Sequence, residues 1–278
     1  MNPVVHKQAC SRAKLAKEAM RNCRLCPRNC GVDRTAGVTG YCGLDDSVRC
    51  YREALYNGEE DDLNPSHHIY FAGCNLRCEF CTVAEWNERP GAADKTDIVA
   101  IKDKIAERVR QGARTLNLLG GEPAVNVRGV LELLSQLKCE TQVVWNSNMY
   151  YNDVVDELIA GLVDVYLADL KVGNNQCAEA MLGAGDYLEV TKRNIIKASA
   201  HGRVIVRHVI LPGHTECCLK PVLHWLAEEL PGVEVSLRDN YFPPANPAVA
   251  PAGYLGRDEF QNAMQLARQL RLNLVKWL

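Results

Sequence analysis

From about residue 95 onward the chain alternates helix-like with strand-like segments, and this alternation limits the fold more than any other feature. Thr96 or Asp97 caps a stretch with Ile98, Ile101, Ile105 and Val109 on one face, and Gly112 is placed to end it. Residues 115–119 follow as a short strand closed by Gly120-Gly121. Residues 127–137 read as helix, 141–145 as strand, 154–159 as helix, 163–170 as strand and 187–200 as helix. Residues 204–211, a nearly continuous β-branched run, stop at Pro212-Gly213; helix 220–229, strand 233–237 and an amphipathic helix over 258–270 complete the pattern. Residues 69–72 supply the first strand. Strands separated by helices need right-handed crossovers, which predicts an α/β fold with a parallel sheet. About six βα units fit into residues 67–278, too few for a closed eight-fold barrel. The expectation is a partial, open β/α barrel with its chemistry at the C-terminal strand ends.

Residues 1–66 read differently, as an N-terminal cysteine-rich appendage. A short helix over 9–20 precedes a Cys/Gly/Arg-rich stretch, and the acidic run from Glu59 to Asp62 reads as a solvated loop before a boundary near residue 66. A chain of 278 residues buries enough apolar surface to need no disulfides. Its net charge of −2 argues against nucleic acid as a partner. No apolar run reaches eighteen residues, so no membrane span is expected, and Met1 to Cys10 lacks the apolar core of a secretory leader. The cytoplasm is the expected location. The thirteen cysteines then point to metal binding or catalysis rather than to a disulfide framework.

Three of these cysteines follow the first strand as Cys74-x3-Cys78-x2-Cys81, with Phe80 before the last. Three thiolates on a short loop can each ligate one iron of a [4Fe–4S] cube, leaving the fourth iron open to a chelating small molecule. A zinc knuckle borrowing a fourth cysteine is the plainer alternative. Gly120-Gly121-Glu122-Pro123 follows the next strand: two glycines let backbone approach a ligand, and a glutamate accepts hydrogen bonds from an ammonium group.

With these motifs the chain resembles the radical S-adenosylmethionine (SAM) superfamily, and within it the PflX-like proteins related to the pyruvate formate-lyase activating enzymes, which install glycyl radicals. The resemblance also rests on Cys23-Arg24-Leu25-Cys26-Pro27-Arg28-Asn29-Cys30-Gly31, Val144-Trp145-Asn146-Ser147-Asn148, Asp169-Leu170-Lys171 and the strand from Val206 to Gly213. It implies that Cys74, Cys78 and Cys81 hold a [4Fe–4S] cluster whose open iron is chelated by SAM. It further implies that Phe80, Gly120, Gly121, Glu122, Asn146, Ser147, Asn148, Asp169, Lys171 and Arg207 surround SAM. Gly120 to Glu122 would face its amino group, and Lys171 and Arg207 its carboxylate and sulfonium. Reduction by a flavodoxin- or ferredoxin-type donor would cleave SAM to methionine and a 5′-deoxyadenosyl radical. Each polar residue also has an ordinary reading: a solvated Asp-Lys pair, an arginine reaching the barrel rim, an Asn-Ser-Asn turn.

Two departures bear on the substrate. The Asp-Thr-Asn-Gly segment of the activating enzymes is Asn146-Ser147-Asn148-Met149 here, and no histidine occupies the strand end at Ser236 to Tyr241. The radical chemistry tolerates both; a glycyl-radical partner does not follow from sequence. The expected substrate is a protein or peptide, with a small metabolite or modified nucleotide as alternative, and a non-catalytic electron-transfer adaptor as a third reading.

Cys23, Cys26, Cys30 and Cys42 form a four-thiol set within twenty residues, suited to zinc or to a second, auxiliary [4Fe–4S] cluster, between which spacing does not choose. Residues 1–34 carry a net charge of +6, a face suited to an acidic electron donor. His67-His68 reads as a capping or surface pair, with a metal-facing pair as the alternative, and Cys217-Cys218 after His214 as structural.

Overall fold

A computed structural model describes residues 3–277; Met1, Asn2 and Leu278 lie outside the described residues, and with them part of the segment read for a leader. The elements in chain order are α1 (Pro3–Ala19), β1 (Cys50–Tyr56), β2 (Ser66–Phe71), α2 (Ala84–Glu88), α3 (Ile98–Arg110), β3 (Thr115–Gly120), α4 (Val127–Leu134), β4 (Gln142–Ser147), α5 (Asp153–Ile159), β5 (Val165–Asp169), α6 (Asn175–Leu182), α7 (Tyr187–Ala198), β6 (Arg203–Val209), α8 (Lys220–Glu229), β7 (Glu234–Arg238), α9 (Arg257–Gln269) and β8 (Asn273–Leu274).

Among the described residues the eight strands form one sheet in chain order. β1 runs antiparallel to β2, and every later neighbour is parallel. Helices carry each crossover from β2 to β8, which makes six βα units and the expected open β/α barrel. The two edges are not laddered to each other. Instead the Asp61 amide donates to the Lys276 carbonyl at 3.1 Å, so the segment before β2 meets the chain just after β8.

Local chemistry explains most elements. The Asp97 carboxylate accepts from the Val99 and Ala100 amides and starts α3, and Gly112, at φ +99°, follows its end. β2 and β5 are buried almost throughout, as strands covered on both faces must be. α1 presents Ala9, Ala13 and Ala16 to the core, small side chains at helical spacing that let it lie close against α4, and Met20 follows just after its end. No helix among the described residues is long and apolar enough to cross a membrane.

Candidate radical site at the strand ends

The C-terminal strand ends open into a cavity of about 740 Å³. The loop after β2 brings Cys74, Cys78, Phe80 and Cys81 to its wall. That loop is held from below by α6: the Arg77 amide donates to the Leu182 carbonyl at 3.0 Å and the Glu79 amide to the Met181 carbonyl at 2.9 Å. Two side-chain amides donate to its sulfurs, Asn87 Nδ2 to Cys81 Sγ at 3.3 Å and Asn148 Nδ2 to Cys74 Sγ at 3.7 Å. Burial, reinforced by Cys78 and Glu122, raises the Cys74 thiol well above its ordinary pKa. Burial also pushes Cys78 up to about 12, opposed by Lys171 and aided by Cys81 and Asp169. Three soft donors, Cys74 buried and Cys78 and Cys81 half-buried, beside an open cavity fit an iron–sulfur cluster with one iron free for a further ligand.

β3 ends in Gly120 and Gly121, both on the cavity wall. A Cβ at Gly120, whose φ is +115°, would fall 2.4 Å from Phe71 N, and one at Gly121 would fall 2.1 Å from the Gly73 carbonyl oxygen. The glycines are therefore needed to bring β3 against the start of the cysteine loop, where the Glu122 amide donates to the Gly73 carbonyl at 2.9 Å. Neither Glu122 nor Ser147 lines the cavity. The Glu122 carboxylate is 1% exposed and accepts from Ser147 Oγ at 2.7 Å, the Asn148 amide at 2.9 Å and the Ala124 amide at 3.0 Å. Burial lifts its pKa to about 7 in spite of these donors. It joins the ends of β3 and β4, leaving the Gly-Gly backbone to face the cavity.

β4 delivers Asn146 and Asn148 to the wall. Asn148 Nδ2 also reaches Asn75 Oδ1 at 2.9 Å, tying the strand end to the cysteine loop. After β5, Lys171 Nζ donates to Asp169 Oδ2 at 2.7 Å. Burial works to lower the Lys171 pKa, but Asp169 and Cys78 outweigh it and hold the ammonium protonated. The Tyr187 hydroxyl donates to the Asp169 carbonyl at 2.7 Å and accepts from the Lys171 amide at 3.2 Å, which fixes that turn.

β6 supplies Arg207, which lines the cavity on one side and meets buried carboxylates on the other. It donates to both oxygens of Glu60, at 2.9 and 3.2 Å, and pairs closely with Glu59. Arg238 of β7 reaches Glu60 at 2.8 Å. Glu59 and Glu60 are thus not a solvated loop: they are 4% and 0% exposed, drawn inward by two arginines, while Asp61 and Asp62 remain outside. His67 and His68 likewise leave the surface, His67 pairing with Glu53 at 2.8 Å and His68 with Tyr70 at 2.9 Å.

Sequence reasoning missed Asn87, Asn75 and Glu79. The Glu79 carboxylate accepts from the backbone amides of Ala248, Val249 and Ala250, pinning that loop across the cavity mouth. The half-buried Glu79 between Cys78 and Phe80 carries no sequence signal for this, because its partners are main-chain groups far along the chain.

The N-terminal thiols sit beside this site. The Gly31 amide donates to the Cys23 carbonyl and the Asn29 amide to the Cys26 carbonyl, both at 3.0 Å, folding a tight knuckle. The Tyr41 amide donates to Cys30 Sγ at 3.2 Å and brings Cys42 in. Burial pushes Cys26 up to about 12, and the nearby Cys42 and Cys23 add to it. Burial also raises Cys42, with Cys23 and Cys30 adding. Arg28 and Arg77 stack on the Tyr41 ring at 4.1 and 4.4 Å, and Arg28 Nε donates to the Asn75 carbonyl, so the knuckle rests on the Cys74–Cys81 loop.

The sequence profile of the Radical SAM superfamily matches residues 69–226. An uncharacterized protein of Methanocaldococcus jannaschii is 33% identical over 273 residues, covering 95% of this chain and 79% of its own. The 7-carboxy-7-deazaguanine synthase of Methanothermobacter thermautotrophicus is 27% identical over 107 residues, 38% of this chain and 42% of its own. Among solved structures, SuiB of Streptococcus suis bound to precursor peptide SuiA is similar in fold, with a TM-score of 0.52 at 14% identity over 72% of this chain. This chain spans 46% of that protein's length.

Proposed function

The chain belongs to the radical SAM superfamily, and on that premise we propose that it cleaves SAM reductively at a cluster held by Cys74, Cys78 and Cys81, to modify a protein or peptide as glycyl-radical activases do. The observation that carries the cofactor reading is the placement of those three thiols in the lining of one cavity together with Gly120, Gly121, Asn146, Asn148 and Lys171. The chemistry supplied by the bound pair is SAM cleavage and hydrogen-atom abstraction.

The chain's own residues do the rest. Asn87 and Asn148 donate N–H groups to ligand sulfurs, which spreads thiolate charge. The Gly120-Gly121 backbone offers acceptors to an ammonium group, and Lys171 and Arg207 offer positive charge to a carboxylate. Phe80, Tyr241 and the loop that Glu79 pins close one side against water. Cys23, Cys26, Cys30 and Cys42 are read as a second metal site, zinc or an auxiliary cluster. Of the eight basic residues in 1–34, Lys7, Lys14, Lys17, Arg21 and Arg24 remain exposed for a flavodoxin- or ferredoxin-type donor of the cytoplasm.

A macromolecular substrate is favoured by the mouth, where Phe242 and Val249, 57% and 54% exposed, line the opening as apolar surface. The 107-residue stretch shared with a deazaguanine synthase favours a second reading, a small metabolite or modified nucleotide. Turnover with a deuterated cell extract, split into protein and small-molecule fractions, separates them. Deuterium should enter 5′-deoxyadenosine from the protein fraction; transfer from the small-molecule fraction alone would replace the first reading by the second.

A further inference from the structure

Outside the cavity, the loops after β5 and β6 gather four soft donors. Cys177 lies in the first turn of α6, His214 follows β6, and Cys217 and Cys218 lie on a π-helical turn, Thr215–Leu219, that leads into α8. Such turns are rare and concentrate at functional sites. The four ligating atoms all lie within 4.8 Å of one another. His214 Nδ1 is 3.3 Å from Cys217 Sγ, 3.7 Å from Cys177 Sγ and 3.8 Å from Cys218 Sγ, and the two adjacent sulfurs are 4.0 Å apart.

These separations identify the kind of ion. A tetrahedral zinc with its ordinary bond lengths places sulfurs about 3.8 Å apart and sulfur about 3.6 Å from nitrogen. The observed distances scatter around those edges. An iron–sulfur cube distributes its thiolates over different irons and needs wider spacing. Asn174 completes the surroundings: its Oδ1 accepts from the Cys177 amide at 2.7 Å, and its Nδ2 donates to Cys177 Sγ at 3.1 Å, to the Cys217 carbonyl at 2.7 Å and to Cys218 Sγ at 3.8 Å. One amide therefore both caps α6 and faces two ligand sulfurs, as partners behind metal ligands do. The backbone is packed to match, since a Cβ at Gly173 would lie 2.2 Å from the Cys218 carbonyl oxygen.

We propose that Cys177, His214, Cys217 and Cys218 bind one zinc ion in a closed, four-coordinate site. Zinc there staples the N-terminal end of α6 to the β6–α8 loop. The other end of α6 holds the Cys74–Cys81 loop through the Met181 and Leu182 carbonyls, so the staple braces the wall of the large cavity. This assignment stands apart from the substrate reading above.

The test is metal analysis of the full chain expressed with zinc supplementation. Relative to wild type, a His214→Ala/Cys217→Ala variant should lose one zinc per chain while keeping the iron bound at Cys74, Cys78 and Cys81. His214→Cys should keep the zinc and, with Co2+ in its place, show a stronger sulfur-to-metal charge-transfer band than wild type. Asn174→Ala should weaken zinc roughly 10- to 100-fold. Equal zinc content in wild type and the double variant would overturn the site, as would loss of zinc from the His214→Cys chain.

Discussion

Glu122 illustrates how a motif residue can differ from its motif's reading. The sequence places a carboxylate beside the Gly-Gly turn, and a ligand-facing role follows from that alone. In the fold its two oxygens take three hydrogen bonds from protein donors, so its work is to hold β3 and β4 together. No sequence pattern distinguishes a carboxylate facing out from one facing in, because the decision rests on Ser147 and Asn148, a whole βα unit away. Burial raises the folded-state pKa from 4.5 to about 7. Between those values the folded chain keeps a proton that the unfolded chain has released. Its stabilising contribution is therefore complete below pH 4.5 and is lost as pH rises through about 7, by about 3 kcal/mol. Urea unfolding of the cluster-free chain across this window should show that decline, and Glu122→Gln should flatten it. Parallel profiles for the two proteins would remove the charge from this account.

The strand and helix elements differ in how much of each was legible. α3, α7, α8, β5 and β6 have strong apolar periodicity or a buried β-branched run, and the expected segments fall on them. β1 was missed because a register shift between Cys50 and Arg52 breaks its alternation, and it pairs antiparallel outside the βα pattern. α6 has eight residues and a polar surface, and β8 has two residues, too short for any period to register. At this scale the loop before β2 is joined to β6 and β7 by charge. Arg207→Ala would take the closest cation from buried Glu59 and one of two from buried Glu60, leaving Arg238 to both, at a cost of about 3 kcal/mol. Glu60 is held well below its ordinary pKa: burial opposes, and Arg207 and Arg238 prevail. That stability is present above pH 4.5 and falls away in acid, so Arg207→Ala should cost most near neutral pH. Chemical denaturation at pH 7 and pH 3 measures both; a variant as stable as wild type at pH 7 would contradict the pairing.

At the scale of the whole molecule, the alternating pattern settled the class of fold, and two cysteine clusters indicated where chemistry belongs. What remained hidden was how distant segments converge: the knuckle of Cys23–Cys42 resting on the Cys74–Cys81 loop, Glu79 reaching residues 248–250, and Cys177 meeting Cys217 and Cys218. Five exposed basic residues near the N-terminus carry the proposed docking of an electron donor. Cluster reduction by an acidic donor protein should slow steeply between low and physiological salt, and a flat response would remove that docking. The central claim, SAM cleavage at Cys74, Cys78 and Cys81, is tested most directly by product analysis. The reconstituted chain, reduced anaerobically with SAM, should release equal amounts of 5′-deoxyadenosine and methionine, and Cys78→Ala should release neither. A wild-type chain with its iron in place that forms no 5′-deoxyadenosine under those conditions would contradict it.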